Sequence, residues 1–374
     1  MDSLCVLPSW FKIRSVKSQV EIQMSFQTQF QIRAQTTPER SMILWMFLCL
    51  MLLAGCSDPQ PELTLIEGRT MGTTYSVKAL DVTDKQALAF ALEVRLKAVN
   101  QLMSTYIADS EITNLNRLAV AESMVLSPEN LSMLALADRI NVESGGKFDV
   151  TLGPLIALWG FGADPRRTDV PDVKAINDAL SRMGTDGLLI ESSTVQKIRD
   201  IEVDFSAIAK GYGVDELARL VEQAGVTNYL VEIGGELRAR GLSQRGQSWV
   251  VGIEAPDSTQ RMPYTAVPLK DLAMATSGDY RNYFEVNGKR FSHILDPSTG
   301  YPITHSVVSV TVLAETTAEA DGYATAINIM GEETGLALAD RLNLPVMLIV
   351  KAEDGFATRT SRAFDAYLSE QTAQ

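Results

Sequence analysis

Thirteen consecutive uncharged apolar residues, Met42 to Ala54 (MILWMFLCLMLLA), divide this chain into a part that needs a fold and a part that does not. A helix that crosses a bilayer takes about 20 such residues, whereas the apolar core of an export signal takes about 7–15. The run is therefore read as a signal-peptide core. A buried core helix is the other reading, but the polar, proline-containing Ser57-Asp58-Pro59-Gln60-Pro61 that follows does not continue a helix. This divides the chain into an extension over 1–41, holding a leader n-region or an overcalled start, a signal core over 42–55, a tether over 56–62 and a folded body over 63–374. A leader starting at Met24 has Arg33 and Arg40 ahead of the apolar run, and no fold is expected from residues 1–23.

The apolar run ends in Leu53-Ala54-Gly55-Cys56, which resembles the lipobox of bacterial lipoproteins and implies acylation of Cys56. The other cysteines, Cys5 and Cys49, precede it, so the body has no thiol. Disulfides, a cysteine nucleophile and thiolate metal sites are thereby excluded from it. Its two histidines, His293 and His305, lie twelve apart and fit no H-E-x-x-H helix. Any metal should be a hard ion held by oxygen. The formal charge of −13 becomes about −15 once the +2 of the first 55 residues is removed. An acidic body of this kind is a poor partner for nucleic-acid phosphates.

The body is long enough for a sizeable core, in one large domain or two small ones, and no internal linker stands out to divide it. Leu63–Leu80 alternates as strands around a Gly68–Gly72 turn. Leu88, Leu92, Leu96, Val99 and Leu102 step by three and four, which predicts a helix over Lys85–Leu102. Further helices are expected over Ser127–Ser144 (Ser127 as N-cap, Gly145-Gly146 at the exit), Pro171–Met183, Ala207–Ala224, Ala318–Met330 and Glu333–Leu342. Strands are expected within Tyr229–Val251, Thr265–Ala275, Tyr283–His293 and Val307–Leu313, with Pro345–Val350 finishing the domain. Helices gather early and strands late, which is no regular βαβ alternation. The fold class is α+β with a largely antiparallel sheet.

No phosphate loop of the G-x-x-x-x-G-K-[ST] kind, no G-x-G-x-x-G fingerprint and no G-x-S-x-G elbow is present. Five stretches carry chemistry instead, each with a plainer reading beside it. Ser277-Gly278-Asp279-Tyr280 runs on to Ser292-His293-Ile294-Leu295-Asp296-Pro297-Ser298-Thr299-Gly300, where a hairpin turn either merely reverses the chain or holds the His293 imidazole still. Asp321 and Thr325, four apart on one helical face, form a polar surface or an oxygen pair suited to Mg²⁺. In Val203-Asp204-Phe205-Ser206-Ala207-Ile208-Ala209-Lys210-Gly211, a strand ending in an acid feeds a helix N-terminus, as simple capping or as an anion site. Arg69-Thr70-Met71-Gly72-Thr73-Thr74-Tyr75 and Gly145-Gly146-Lys147-Phe148-Asp149-Val150-Thr151 mix glycines with aromatics and hydroxyls, as tight turns or as walls for a flat ligand.

Taken in this order, the five stretches resemble the ApbE family of FAD:protein FMN transferases, once labelled thiamine-biosynthesis lipoproteins. The likeness runs from about Leu63 to Leu368 and includes the leader. It implies a single catalytic domain of the ApbE-type α/β roll. It implies FAD contacts from Met71, Tyr106, Lys147, Phe148, Asp149, Asp204, Lys210 and Leu295, with Lys147 matching only by position and acting through its backbone. It implies Mg²⁺ ligation by Asp321, Thr325 and the carbonyl of Ala207, and a pocket floor shaped by Gly234-Gly235-Glu236. FAD is then a substrate: FMN passes to a Thr or Ser hydroxyl of an acceptor protein, AMP leaves, and His293 is the candidate to handle the hydroxyl proton. The acceptors implied are subunits of Na⁺-translocating NADH:quinone oxidoreductase or Rnf-type complexes, and the location implied is the periplasmic side of the inner membrane, anchored through Cys56. Mg²⁺-dependent hydrolysis of FAD to FMN and AMP, and simple flavin binding by a non-catalytic lipoprotein, are the alternative readings.

Overall fold

Met71 and Gly72 have φ of 48° and 73°, and Thr70 pairs with Thr73 across them. Two adjacent residues with positive φ make the two-residue turn whose twist matches an antiparallel pair. The turn is thus tighter than the Gly68–Gly72 span expected from the sequence. Gly68 lies inside the strand, where a Cβ would run into the Tyr75 ring. The computed structural model describes residues 60–162, 169–256, 263–278, 283–286 and 288–372. The signal core, Cys56, the tether up to Pro59 and the Asp279-Tyr280 pair lie outside the described residues.

In chain order the elements are β1 (Leu63–Thr70), β2 (Thr73–Leu80), α1 (Lys85–Met103), α2 (Glu111–Arg117), β3 (Ser123–Val125), α3 (Pro128–Glu143), α4 (Gly153–Leu158) and α5 (Val173–Leu180). Then come β4 (Leu188–Glu191), β5 (Thr194–Lys197), α6 (Ala209–Gln223), β6 (Tyr229–Ile233), β7 (Glu236–Arg240), β8 (Trp249–Glu254), β9 (Pro263–Leu269), β10 (Ala273–Gly278), β11 (Tyr283–Val286) and β12 (Lys289–Ser292). The chain closes with β13 (Val307–Ala314), α7 (Thr317–Met330), α8 (Glu332–Leu342), β14 (Val346–Ala352), β15 (Gly355–Thr360) and α9 (Arg362–Thr372).

Eight strands form one sheet in the order β1-β2-β6-β7-β10-β13-β14-β15, every pair antiparallel. The α+β class and the antiparallel sheet are as the sequence predicts. Leu88, Leu92, Leu96, Val99 and Met103 face the core from α1, so the seam closes on Met103, and Leu102 is only half-buried. On one face of the sheet α1 and α6 cover Ile66, Tyr75, Val77 and Val231, while α7 covers β10 and β13. On the other face the β8–β9 hairpin and α9 enclose Leu237, Met274, Leu313, Ile349 and Phe364. β13 is accordingly buried at every residue from Val307 to Leu313, as a strand covered on both faces must be.

Three expectations are corrected. The stretch ending at Asp204 forms no strand: Asp204 Oδ1 accepts the N–H of Ser206 at 2.7 Å, a side-chain turn that competes with strand pairing. The helix expected over Ala207–Ala224 starts at Ala209. The domain does not finish at Val350, because β15 extends the sheet and α9 seals its second face with Phe364.

Candidate functional site

The centre of the site is α7, which is buried nearly all round and built from small residues. Its first turn is fixed before any ligand arrives. Asp215 of α6 accepts from the N–H of Thr317 (2.9 Å), its hydroxyl (3.0 Å) and the N–H of Ala318 (3.0 Å), and Arg238 holds Asp215 at 2.7 Å. Anionic oxygens belong at a helix N-terminus, where the N–H groups are free. Gly211 lets α6 cross α7 at this point, since a Cβ there would overlap the backbone of Thr317 and Ala318.

That close crossing puts Lys210 beside Asp321. The Lys210 ammonium lies 3.6 Å from Asp321 Oδ2 and 3.3 Å from Glu236 Oε1. Gly211 gives its N–H to Asp321 Oδ2 at 3.1 Å. Burial raises the Asp321 pKa, against the pull of Lys210 and the Gly211 N–H. Burial likewise pushes the Glu236 carboxyl up to about 7; Lys210 opposes this, and the charge of Asp321 adds to it. For Lys210, burial disfavours the ammonium, but the two carboxylates outweigh that and raise its pKa. Two buried carboxyl groups thus share one ammonium, and Glu236 Oε2 has no hydrogen-bond partner.

One cavity of about 670 Å³ opens over this cluster. Asp149, Asp204, Ala207, Lys210, His293, Leu295, Asp321 and Thr325 all line it. Residues drawn from four separate sequence stretches thus share one space. His293 follows β12 directly, its ring edge-on to Phe161 at 6.3 Å and 70°. A cluster of Trp159, Phe284 and Phe291 backs this corner, and Trp159 Nε1 donates to the Gly300 carbonyl at 2.8 Å. Asp149 accepts from the N–H (2.7 Å) and hydroxyl (2.5 Å) of Thr151; burial is the larger influence and raises its pKa.

The other four predicted residues stand apart from the cavity lining. Met71 packs onto the core, its methyl 3.0 Å from where a Cβ on Gly213 would sit. Tyr106 is 65% exposed, and partial desolvation, with the nearby charge of Asp204, raises its pKa. Phe148 is a core residue, fixed through its backbone by Asn141 and Ser144. The Lys147 ammonium grips Asp296 (3.0 and 2.9 Å) and Ser298 (2.8 Å), tying the loop before Phe148 to the turn after His293 and leaving its backbone for the contact expected of it. Gly234, Gly235 and Glu236, expected to shape the pocket floor, line the cavity, but the contact of Glu236 with Lys210 was not foreseen. The cavity walls from β2, β6 and β8 were not foreseen; Ser76 and Lys78, alternating along β2, were a signal for the first, and the apolar β8 carried none.

The donor set suits a hard cation that keeps most of its shell. Asp321 and Thr325 offer a carboxyl group and a hydroxyl, Ala207 lines the same cavity, and the two carboxyl groups of Asp321 and Glu236 share one ammonium. Among the described residues no group of three or more His, Cys, Asp or Glu forms a cage able to bind a metal unaided. Phosphate oxygens of a ligand complete such a shell.

The model of the ApbE family matches residues 71–348. The FAD:protein FMN transferase of Vibrio cholerae is 44% identical over 325 residues, covering 86% of this chain and 97% of that protein. That of Escherichia coli K12 is 37% identical over 338 residues, covering 85% and 95%. Among solved structures, the flavin transferase ApbE of V. cholerae superimposes with a TM-score of 0.76 at 41% identity, over 82% of this chain and 99% of that one. The apo form of the Pseudomonas stutzeri flavinyl transferase ApbE gives 0.77 at 38%, over 83% and 98%. With sequence and fold in agreement over most of its length, this chain belongs to the ApbE family.

Proposed function

We propose that the protein is a Mg²⁺-dependent FAD:protein FMN transferase, which joins FMN by a phosphoester bond to a Thr or Ser of an acceptor protein and releases AMP. The observation that carries this reading is the single cavity shared by Asp321, Thr325, Lys210 and His293. In it an oxygen pair for a cation, a fixed ammonium and an imidazole face one space. The transferase names of the relatives support it. In this reading the acceptor oxygen bonds to the phosphorus on the riboflavin side while the bond from that phosphorus to the bridging oxygen breaks. The bridging oxygen departs with AMP. His293 takes the proton from the attacking hydroxyl. Lys210 holds charge on the pyrophosphate, and Asp321, Thr325 and the Ala207 carbonyl hold the metal, which supplies neutralisation of phosphate charge when bound.

Met71, Tyr106, Phe148, Asp149, Asp204 and Leu295 are assigned to FAD, Tyr106 through the loop that joins it to Asp204: Thr105 Oγ1 donates to Asp204 Oδ2 at 3.3 Å. Lys147 is assigned to FAD through its backbone, while its ammonium positions the turn at Asp296. Acceptors of the sodium-translocating NADH:quinone oxidoreductase or Rnf type, and a lipid anchor at Cys56 on the periplasmic face of the inner membrane, complete the proposal. Incubation with FAD, Mg²⁺ and the Thr-bearing domain of such a subunit tests it. Flavin fluorescence on the acceptor band after denaturing electrophoresis is the expected result. Free FMN alone makes the protein a hydrolase, and unchanged FAD makes it a binding protein.

A further inference from the structure

The cavity is longer than the cluster that performs this chemistry. Beyond Glu236 it continues over one face of β2 and β6, where Ser76 and Glu232 form one cross-strand pair and Lys78 and Leu230 the next. None of the residues assigned to FAD or metal lies on this floor. Its side wall is β8. Val250, Val251, Gly252 and Ile253 line the cavity without a gap, although Val250 and Gly252 are exposed while Val251 and Ile253 are buried. Successive side chains of a strand point to opposite faces. A cavity that touches every residue in turn therefore meets the strand along its edge.

That edge is open. Among the described residues β8 pairs only with β9, in a two-stranded sheet. Val250 stands opposite Pro268, which has no N–H to give, and the Pro268 carbonyl accepts from Tyr367 of α9 at 2.7 Å. Residues directly opposite in an antiparallel pair point their backbone groups either both toward each other or both away. Pro268 turns outward to α9, so Val250 turns outward to the cavity, and so does Gly252 two residues on. The β9 edge is closed by α9, and the β8 edge presents two N–H groups and two carbonyls at the spacing of an added strand.

Resting on the transferase reading above, we infer that the acceptor polypeptide binds here in extended form, as a strand added along Val250–Ile253 over the Ser76–Leu230 floor, which carries its Thr or Ser hydroxyl toward Asp321 and His293. Backbone pairing of this kind gives affinity with little demand on side-chain identity. The mixed floor, with Lys78 and Glu232 of opposite charge beside Leu230, imposes no single-sign requirement on the segment.

The test is FMN transfer from FAD and Mg²⁺ to the Thr-bearing domain of an Rnf-type subunit, by wild type and Gly252→Pro. Proline removes one edge N–H and blocks approach of a strand. Loss of about two backbone hydrogen bonds corresponds to an acceptor KM raised about 10-fold or more, with FAD affinity unchanged. Should Gly252→Pro fold poorly, Val250→Cys serves: the position is 67% exposed and its thiol is the sole one after Cys56. The acceptor domain should slow alkylation of that thiol several-fold. An unaltered acceptor KM in a folded Gly252→Pro, or an alkylation rate indifferent to the acceptor, overturns the inference while leaving the transferase reading intact. No FMN transfer by the wild-type chain removes that reading, and the inference with it.

Discussion

The backbone N–H of Gly211 donates to Oδ2 of Asp321 at 3.1 Å across the crossing of α6 and α7. A main-chain donor cannot swing away, so this bond fixes one carboxylate oxygen while Lys210 approaches the same atom at 3.6 Å. The crossing that permits the bond also makes it fragile, because any side chain at Gly211 meets the Thr317 carbonyl.

Gly211→Ala should therefore cost stability and geometry together. Overpacking of this kind costs about 1–3 kcal/mol. The urea midpoint should fall with an unchanged m-value, and transfer should fall further than FAD binding. A variant that unfolds at the wild-type midpoint would show that the helices can part without penalty.

Removing the carboxylate is a different experiment. Asp321→Ala should abolish transfer at millimolar Mg²⁺ and leave Lys210 with Glu236 as its acidic partner among the described residues. Thr325→Ala should be milder, since water replaces a neutral hydroxyl in a cation's shell. The readout is transfer against Mg²⁺ concentration. Identical curves for wild type and Asp321→Ala would take the metal away from this helix.

Asp321 and Thr325 were legible because a spacing of four on a helix needs no tertiary knowledge. The long helices, the antiparallel sheet and the turn after His293 were legible for the same local reason. What joins Asp321 to Lys210 and Glu236 was not, since it depends on two helices crossing at Gly211 and on the register of β7. β15 and α9 were missed because Gly355–Thr360 is half polar and carries weak alternation, so only its pairing with β14 makes it a strand. The ion pair of Lys147 was not legible because its partner Asp296 lies 149 residues away. The open edge of β8 was invisible too: an unpaired edge is a property of the sheet, and no residue type announces it.

The Lys147–Asp296 pair makes a pH prediction. Burial would raise the Asp296 pKa, but hydrogen bonds from Ser298 and Lys147 outweigh it and hold the carboxyl below its ordinary value of 3.8. A depressed carboxyl pKa stabilises the fold above the unfolded value, and the contribution is lost as pH falls through the folded one. Asp296→Asn should lower the melting temperature at pH 7, by an amount that reflects about 1.5–3 kcal/mol for hydrogen bonds to a charged group. The gap to wild type should hold down to about pH 4 and close below 3.8. A gap constant down to pH 2 would assign the loss to packing.

The anchor is tested by Cys56→Ser. A short apolar run ending in Leu-Ala-Gly-Cys motivates it. One acyl chain holds a protein to membranes only marginally and several hold it stably, so loss of the acylated cysteine should release the body almost completely. Membrane and soluble fractions probed for the protein provide the readout, with FMN transfer by the released body as the control for folding. Undiminished membrane partition of Cys56→Ser would remove the lipid anchor from the proposal.

His293 separates binding from chemistry. It sits one residue past β12 on the cavity wall, its ring edge against Phe161 and its chain held by the turn that Lys147 grips at Asp296. Such an imidazole is fixed enough to meet a hydroxyl delivered beside Asp321. If it takes the acceptor's proton, His293→Ala should bind FAD nearly as wild type does while single-turnover transfer slows by about 10²–10⁴, the usual cost of losing a general base. If it only packs the corner formed by Phe161, Trp159 and Phe291, the same variant should lose FAD affinity and thermal stability together. FAD affinity, melting temperature and single-turnover rate on one preparation decide between them. Wild-type turnover at saturating FAD would remove His293 from the mechanism, and a selective loss of turnover would place the proton there.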